Sequence, residues 1–216
     1  MNLQTLSTHT VDVDLIPEAP VVLDVGCRFW GFCTDILALR PKASIFALDP
    51  DPLIEEPGIA GLIYHAIALA PGPARLAAYE SYYTGEANFL TEYSSPHFQQ
   101  QAAGYKAQRI MVQTMSIEDL MLAYNIEHWD VVKLDCEASE FPILENWPGP
   151  IATQISIEFH DYTHRTQWDK AYFERLFAGP LKDYQIVQHE DHWMGGGQGH
   201  WDTLIVLPDE KRPARS

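Results

Sequence analysis

The chain is 216 residues long, enough for one domain with a sizeable core, and at 46% hydrophobic and 20% charged it reads as globular rather than disordered. Its 30 acidic against 14 basic residues give a formal charge of −16, a surface that repels phosphate backbones and anionic lipid. Neither a nucleic acid nor a membrane is therefore expected as a partner, whereas a small anionic ligand in a local pocket and a homo-oligomer both stay open.

The three cysteines, Cys27, Cys33 and Cys136, lack metal-ligand spacing and suit a reduced, cytoplasmic setting. Residues 1–20 lack the basic start and apolar run of a signal peptide, and no stretch reaches the roughly 18 apolar residues of a membrane span. A soluble intracellular protein is expected, with residues 1–216 in a single domain.

Residues 1–20 read as a short polar lead with Pro17 and Pro20, able to pack along a sheet. Val21–Val25 is a first apolar strand carrying Asp24, and Gly26 opens the turn after it. Phe32, Ile36, Leu37 and Leu39 then recur at near-helical spacing over Gly31–Arg40, and Pro41 follows. Ile45–Leu48 is a second strand, ending at Asp49-Pro50. A strand, a glycine turn, a helix and a second strand ending in an acid is how open α/β sheets hold a nucleoside, the acid accepting from ribose hydroxyls. The separation of Asp24 and Asp49, 49 − 24 = 25 residues, is near the roughly 20 expected.

Leu62–Leu69 reads as a third strand closed by Pro71-Gly72-Pro73, with Arg75–Tyr79 as an extra strand beside it. From 80 to 108 the periodicity is lost among Tyr82, Tyr83, Phe89, Tyr93, His97, Phe98 and Tyr105. That segment is either a lid or substrate wall, or a surface excursion whose aromatics pack on the core. Met111–Met115 alternates like a strand, and Ser116-x-x-Asp119 opens a helix through Tyr124. Val131–Leu134 is a strand ending at Asp135. Ile155–Phe159 is another, interrupted by Glu158 and followed by His160-Asp161. Trp168–Phe177 is helical and stopped by Gly179-Pro180.

Tyr184–Gln188 and Thr203–Leu207 have no helix-length segment between them, so a hairpin joins them and the last strand runs antiparallel. The fold class is therefore α/β: a doubly wound, mostly parallel seven-stranded sheet with an antiparallel C-terminal hairpin. That ending is characteristic of S-adenosylmethionine (SAM) methyltransferases of the Rossmann-like class I type rather than of dinucleotide dehydrogenases. The turn Gly26-Cys27-Arg28-Phe29-Trp30-Gly31 agrees, because it lacks the Gly-x-Gly-x-x-Gly that admits a pyrophosphate. The Gly-rich hairpin loop at 190–202, with His189-x-x-His192 and His200 around Gly195-Gly196-Gly197, is either a second ligand site or a polar hairpin tip.

The segment Val131-Val132-Lys133-Leu134-Asp135-Cys136-Glu137-Ala138-Ser139-Glu140 resembles the Lys-x-Asp-x-Glu-Gly-x-Glu signature of FkbM-type SAM-dependent methyltransferases. Asp24-Val25-Gly26, Ser116-Ile117-Glu118-Asp119-Leu120 and Ile157-Glu158-Phe159-His160 are similar to that family in the same order, and the likeness covers roughly residues 20–207. It departs at Ala138, where the family has Gly, and at Arg28, where Asn is common. The second glycine of the turn is displaced to Gly31, and Trp30 is large for a cofactor turn.

The resemblance implies SAM as cofactor and a hydroxyl of a small molecule, a sugar or secondary metabolite, as acceptor. Gly26 and Cys27 are expected to offer backbone to the methionyl part, flanked by Arg28 and Pro50. Asp24 would orient the turn or the ammonium group, Asp49 would hold the ribose, and main chain at Ala66 and Ile67 would meet the adenine edge. Asp135 and Glu158 should emerge side by side at strand ends, where such sheets bind ligands. One of them would act as general base tuned by Lys133 or His160, or His160 itself would, since its unperturbed pKa of about 6.5 lies near neutrality. The plainer alternative pairs Lys133 with Glu137 under the turn and leaves His160 capping a loop. Asp135, Glu158, His160 and Asp161 also offer a ligand set for Mg²⁺ or Mn²⁺. Two rival functions remain: a nicotinamide-dependent oxidoreductase, and a degenerate SAM-binding protein, the latter suggested by Trp30, Arg28 and Ala138.

Overall fold

The computed structural model describes residues 1–82, 89–90, 107–137, 139–160, 170–192 and 200–213. In chain order, β1 (Leu3–Leu6) and β2 (His9–Asp12) form a hairpin, followed by β3 (Val21–Val25), α1 (Gly31–Leu39), β4 (Ser44–Leu48) and β5 (Leu62–His65). Next come β6 (Ala68–Leu69), β7 (Arg75–Tyr82), β8 (Phe89–Leu90) and β9 (Ala107–Met115), then α2 (Ile117–Tyr124) and β10 (Trp129–Leu134). The chain continues through α3 (Glu140–Glu145), β11 (Ala152–His160), α4 (Lys170–Ala178), β12 (Gln185–Asp191) and β13 (His200–Val206).

The main sheet is seven-stranded in the order β12-β13-β11-β10-β3-β4-β5. β3, β4, β5, β10 and β11 pair in parallel, and β13 runs antiparallel to both of its neighbours. Strand alternation sends successive side chains to opposite faces. Leu23, Val25, Val132, Leu134, Ile155, Ile157 and Phe159 build one core with α2, α3 and α4, while Val22, Ile45, Ala47 and Val131 build a second with α1. On α1, Phe32, Cys33 and Ile36 are the buried positions.

The face shared with α1 is not wholly apolar. Asp24, Lys133 and Ser156 are register neighbours across β3, β10 and β11, and Gln154 lies on the same face. The N-terminal hairpin covers this polar row. Asp12 N–H donates to Gln154 Oε1 (2.8 Å), Gln154 Nε2 donates to Asp12 O (3.1 Å), and His9 Nδ1 lies 3.3 Å from Ser156 Oγ. The other end of the hairpin rests on α1. Ser7 N–H donates to Asp35 Oδ2 at 2.7 Å, and a Cβ on Gly31 would stand 2.7 Å from Ser7 Oγ, which explains the glycine at the start of that helix.

Two local expectations change. The apolar run Leu62–Leu69 is not one strand: Ile67 N–H donates to His65 O (2.8 Å), the chain bends at Ala66, and β6 leaves the main sheet. It joins β7, β8 and β9 in a separate four-stranded sheet, so Arg75–Tyr82 is not an extra strand of the main one. Ala68, Ala70, Ala77, Tyr79, Leu90 and Val112 form the small core of that second sheet. Of the expected excursion at 80–108, the described part extends β7, supplies β8 and opens β9; residues 83–88 and 91–106 lie outside the described residues. Ser116 caps α2 as its spacing suggests, its Oγ accepting from Asp119 N–H at 3.1 Å.

Gly26 has φ +79, and a Cβ there would sit 1.7 Å from the main-chain oxygen of Asp135. The glycine therefore serves the contact between the β3 turn and the end of β10. Gly26→Ala is expected to cost more than about 2 kcal/mol of unfolding free energy in urea titration, since both the backbone region and the contact oppose it. An unchanged midpoint would contradict this.

Candidate active site

The turn after β3 is held from below by one buried cation. Lys133 Nζ donates to Gly26 O at 2.6 Å and to Val25 O at 3.3 Å, and it lies 3.1 Å from Asp24 Oδ1 and 3.4 Å from Asp135 Oδ2. Burial works against the ammonium charge, but Asp24 and Asp135 outweigh it and hold Lys133 above its ordinary value. Among the described residues its ion pairs run to these two aspartates and not to Glu137. Asp24 is 1% exposed and also accepts from Cys33 Sγ (3.0 Å), so it lies beneath the turn. The thiols of Cys27, Cys33 and Cys136 are all pushed up, chiefly by burial.

Within the turn, the N–H groups of Gly26 and Cys27 both donate to Leu48 O, at 2.8 and 3.4 Å. Among the described residues, the amides of Arg28 and Phe29 have no hydrogen-bond partner, and α1 starts at Trp30 without a side-chain cap. Free donors thus gather at the positive end of a helix. Arg28 is engaged by Asp51 (2.6 Å), which is fully buried in the loop after β4. Trp30, at φ 59, packs edge-on against Tyr64 with ring centroids 5.2 Å apart.

Asp49 directly follows β4 and is buried. Its Oδ1 accepts from Asp51 N–H (2.9 Å), and Tyr64 Oη donates to its main-chain oxygen (3.0 Å). Among the described residues, the hydrogen bonds of this carboxylate stop there. Burial pushes its pKa up to about 6; repulsion from Asp51 adds to this, while the Asp51 N–H, Lys133 and Arg28 resist. Pro50 is half-buried beside it, Ala66 is exposed, and the Ile67 N–H is taken by His65 O.

The ends of β10 and β11 carry the second half of the site. His160 Nε2 lies 3.1 Å from Glu158 Oε1, 3.9 Å from Asp135 Oδ1 and 3.8 Å from Glu137 Oε2. Its Nδ1 lies 3.2 Å from Glu140 Oε1, which also accepts from Cys136 N–H (2.7 Å) and so is fixed behind the ring. From β2, His9 Nε2 comes within 3.6 Å of Asp135 Oδ2. Burial would raise the Asp135 carboxyl, but Lys133, His9 and His160 together hold it well below the usual carboxylate range. Glu158 is also lowered: its burial is outweighed mainly by its hydrogen bond with His160. Ligand atoms of His9, Asp135 and Glu158, and of Asp135, Glu137 and His160, lie within 4.8 Å of one another in each trio.

A nucleoside-type turn and a carboxylate–imidazole cluster thus share Lys133. Residues 24–192 match the family described as the methyltransferase FkbM domain. The chain belongs to that family. FkbM methyltransferases are SAM-dependent enzymes, which sets the nicotinamide alternative aside. The chain is 25% identical over 203 residues to the 2-O-methyltransferase NoeI of Sinorhizobium fredii (strain NBRC 101917 / NGR234), covering 85% of this chain and 80% of that one. It is similar to the crystal structure of methyltransferase FkbM from Methylobacillus flagellatus KT, with a TM-score of 0.48 and 12% identity over 86% of this chain. That match spans 44% of the length of the solved protein. Fibrillarin, a pre-rRNA processing protein of Methanococcus jannaschii, aligns with a TM-score of 0.45 and 10% identity over 92% of this chain and 70% of its own.

In this FkbM chain, Asp135, Glu158, His160 and Lys133 come together at one sheet edge, and Asp24, Gly26, Cys27, Arg28 and Asp49 gather at the β3 and β4 ends. Ala138 and Asp161 lie outside the described residues. Sequence reasoning missed His9 and the orienting position of Glu140. Glu140 carries a signal in its place within the FkbM signature; His9 carries none, being more than 100 residues from its partners Asp135 and Ser156 in sequence. Lys133→Met should cost about 3 kcal/mol or more in denaturant unfolding, because it strands the buried Asp24 carboxylate and the half-buried Asp135. Combining it with Asp24→Leu should recover part of that loss, and a neutral Lys133→Met would contradict the arrangement.

Proposed function

We propose that this FkbM chain transfers a methyl group from SAM to a hydroxyl oxygen of a small polar molecule, a sugar hydroxyl fitting best. The observation that carries this reading is the Glu140–His160–Glu158 chain beside ionised Asp135, at the strand ends next to the Gly26 turn. An alcohol must lose a proton as it attacks, and a carboxylate–imidazole pair receives one. The relative named as a 2-O-methyltransferase supports oxygen as the acceptor atom. The formal charge of −16 supports a neutral small acceptor over a polyanion.

The residues present fit the cofactor. Asp49 directly follows β4 with a carboxylate for the ribose hydroxyls, and the unpaired amides of Arg28 and Phe29 suit the methionyl carboxylate. Gly26 and Cys27 shape that turn through Leu48 O, with Asp24 and Lys133 beneath as positioning groups. The Ala66 main chain, with Ile67 and Pro50, borders the adenine side. When bound, SAM supplies an electrophilic methyl carbon that the acceptor oxygen displaces in line from sulfur.

Asp135, held ionised by Lys133, orients the acceptor hydroxyl. The Glu158–His160 pair takes its proton while Glu140 fixes the ring from behind.

Calorimetry with S-adenosylhomocysteine tests the cofactor half. Affinity should weaken as pH falls through about 6, where Asp49 takes up a proton, and Asp49→Ala should weaken binding roughly tenfold at neutral pH and flatten the profile. In the free protein the same raised pKa acts the other way: the stability contributed by Asp49 is complete below 3.8 and is lost as pH rises through about 6. Methyl transfer from labelled SAM to a glycoside panel tests the acceptor half, His160→Ala lowering kcat by roughly 10²–10⁴ with homocysteine-nucleoside affinity unchanged. Binding at no pH, or unaltered kcat in His160→Ala, would overturn the reading.

A further inference from the structure

The face that carries Glu158 and His160 continues across the sheet edge. In register, Glu158 pairs with Asp202 and Asp202 with Glu190, while His160 pairs with His200. His192 N–H donates to His200 O at 3.0 Å, which completes the second row. A row of three carboxylates and a row of three histidines therefore run side by side over β11, β13 and β12. The inner half of this array belongs to the candidate active site. The outer half, on the terminal hairpin, touches it only where His200 Nδ1 comes within 3.9 Å of Glu158 Oε1.

We propose that His192, His200 and Asp202 form a binding site for a divalent transition-metal ion of zinc type, distinct from the acceptor cluster. The geometry suits it. Three ligands about 2.1 Å from a tetrahedral ion stand roughly 3.4 Å from one another. His192 Nε2 is 3.0 Å and His200 Nε2 is 4.0 Å from Asp202 Oδ2, and one ligand atom from each of the three residues lies within 4.8 Å of the others. The two imidazoles are stacked at 4.9 Å.

The donors are also unspent. His192 Nε2 and Asp202 Oδ1 are covered from solvent yet have no hydrogen-bond partner among the described residues, despite the short approach of the two side chains. Lone pairs that converge without hydrogen-bond alignment are what a bound cation resolves.

Charge points the same way. Among the described residues the ion pairs of Asp202, Glu190 and Glu158 are all with histidine, with no lysine or arginine such as Lys133 provides for Asp135. Two imidazoles with one carboxylate select a borderline transition ion over Mg²⁺ or Ca²⁺, which prefer oxygen. His192 and His200 bracket residues 193–199 in sequence, so the ion would also clip the end of the hairpin.

The test uses full-length protein stripped with a chelator and titrated with Co²⁺ and Zn²⁺, following visible absorption and heat. One saturable equivalent with the absorption of imidazole-bound Co²⁺ is expected, insensitive to excess Mg²⁺ and accompanied by a rise in melting temperature. His192→Ala with His200→Ala should abolish binding, and Asp202→Asn should weaken it by more than about tenfold. Asp135→Asn should leave it unchanged. Metal-free circular dichroism and melting of the variants check that they are folded. Absence of saturable binding, or binding that survives loss of both histidines or disappears in Asp135→Asn, would overturn the proposal. The last outcome would move the ion to the acceptor cluster, and none depends on methyl transfer.

Discussion

A lysine buried inside a sheet keeps its charge only where carboxylates surround it, and Lys133 has Asp24 on one side and Asp135 on the other. That requirement joins two places that belong to different strands. Through Asp24 and the Gly26 carbonyl the ammonium fixes the turn after β3; through Asp135 it fixes the end of β10. It also sets chemistry. With a permanent cation beside it, Asp135 is a weak proton acceptor and a durable anion, which leaves proton uptake to the Glu158–His160 pair. The steric constraint at Gly26 is part of the same contact, because the Asp135 main-chain oxygen occupies the space a side chain would need.

The polar row needs cover, and the N-terminal hairpin supplies it. Asp12 and Gln154 exchange two hydrogen bonds, and His9 meets both Ser156 and Asp135. Buried polar side chains are tolerated when they are paired, and Asp12 and His9 bring partners for Gln154, Ser156 and Asp135 while Val11 packs among the apolar residues of the same face. The hairpin thus does the work of a covering layer over β10 and β11 and also delivers an imidazole to the acceptor end. Beyond its reach the same strand face stays half-exposed, and there the carboxylates and histidines of β11, β12 and β13 accumulate.

The sheet was legible in the sequence wherever length and periodicity agreed. The short gap between the last two strands required a hairpin, and the acids at Asp49, Asp135 and Glu158 marked strand ends. What escaped did so for identifiable reasons. Leu62–Leu69 is apolar-rich and broken only by His65, and its bend at Ala66 has neither Gly nor Pro to announce it. The plainer alternative for Lys133 paired it with Glu137, four residues on, which is helical spacing; in a strand the side chain shares its face with Asp135, one of the carboxylates it was expected to tune, and with cross-strand Asp24, which no local spacing marks. The amide donors of the first turn were expected at Gly26 and Cys27, but Leu48 O takes both and leaves Arg28 and Phe29 unpaired. Contacts of His9 depend on tertiary docking that no local pattern encodes.

The dependence of both ends of the site on one lysine has a direct test in a crystal structure of the S-adenosylhomocysteine complex. The expected result is ribose hydroxyls on the Asp49 carboxylate, the amino-acid end at the Arg28–Phe29 amides, and the sulfur facing the Asp135–Glu158 edge with Lys133 still on Gly26 O. A ligand whose ribose misses Asp49, or whose sulfur points away from Glu158, would contradict it.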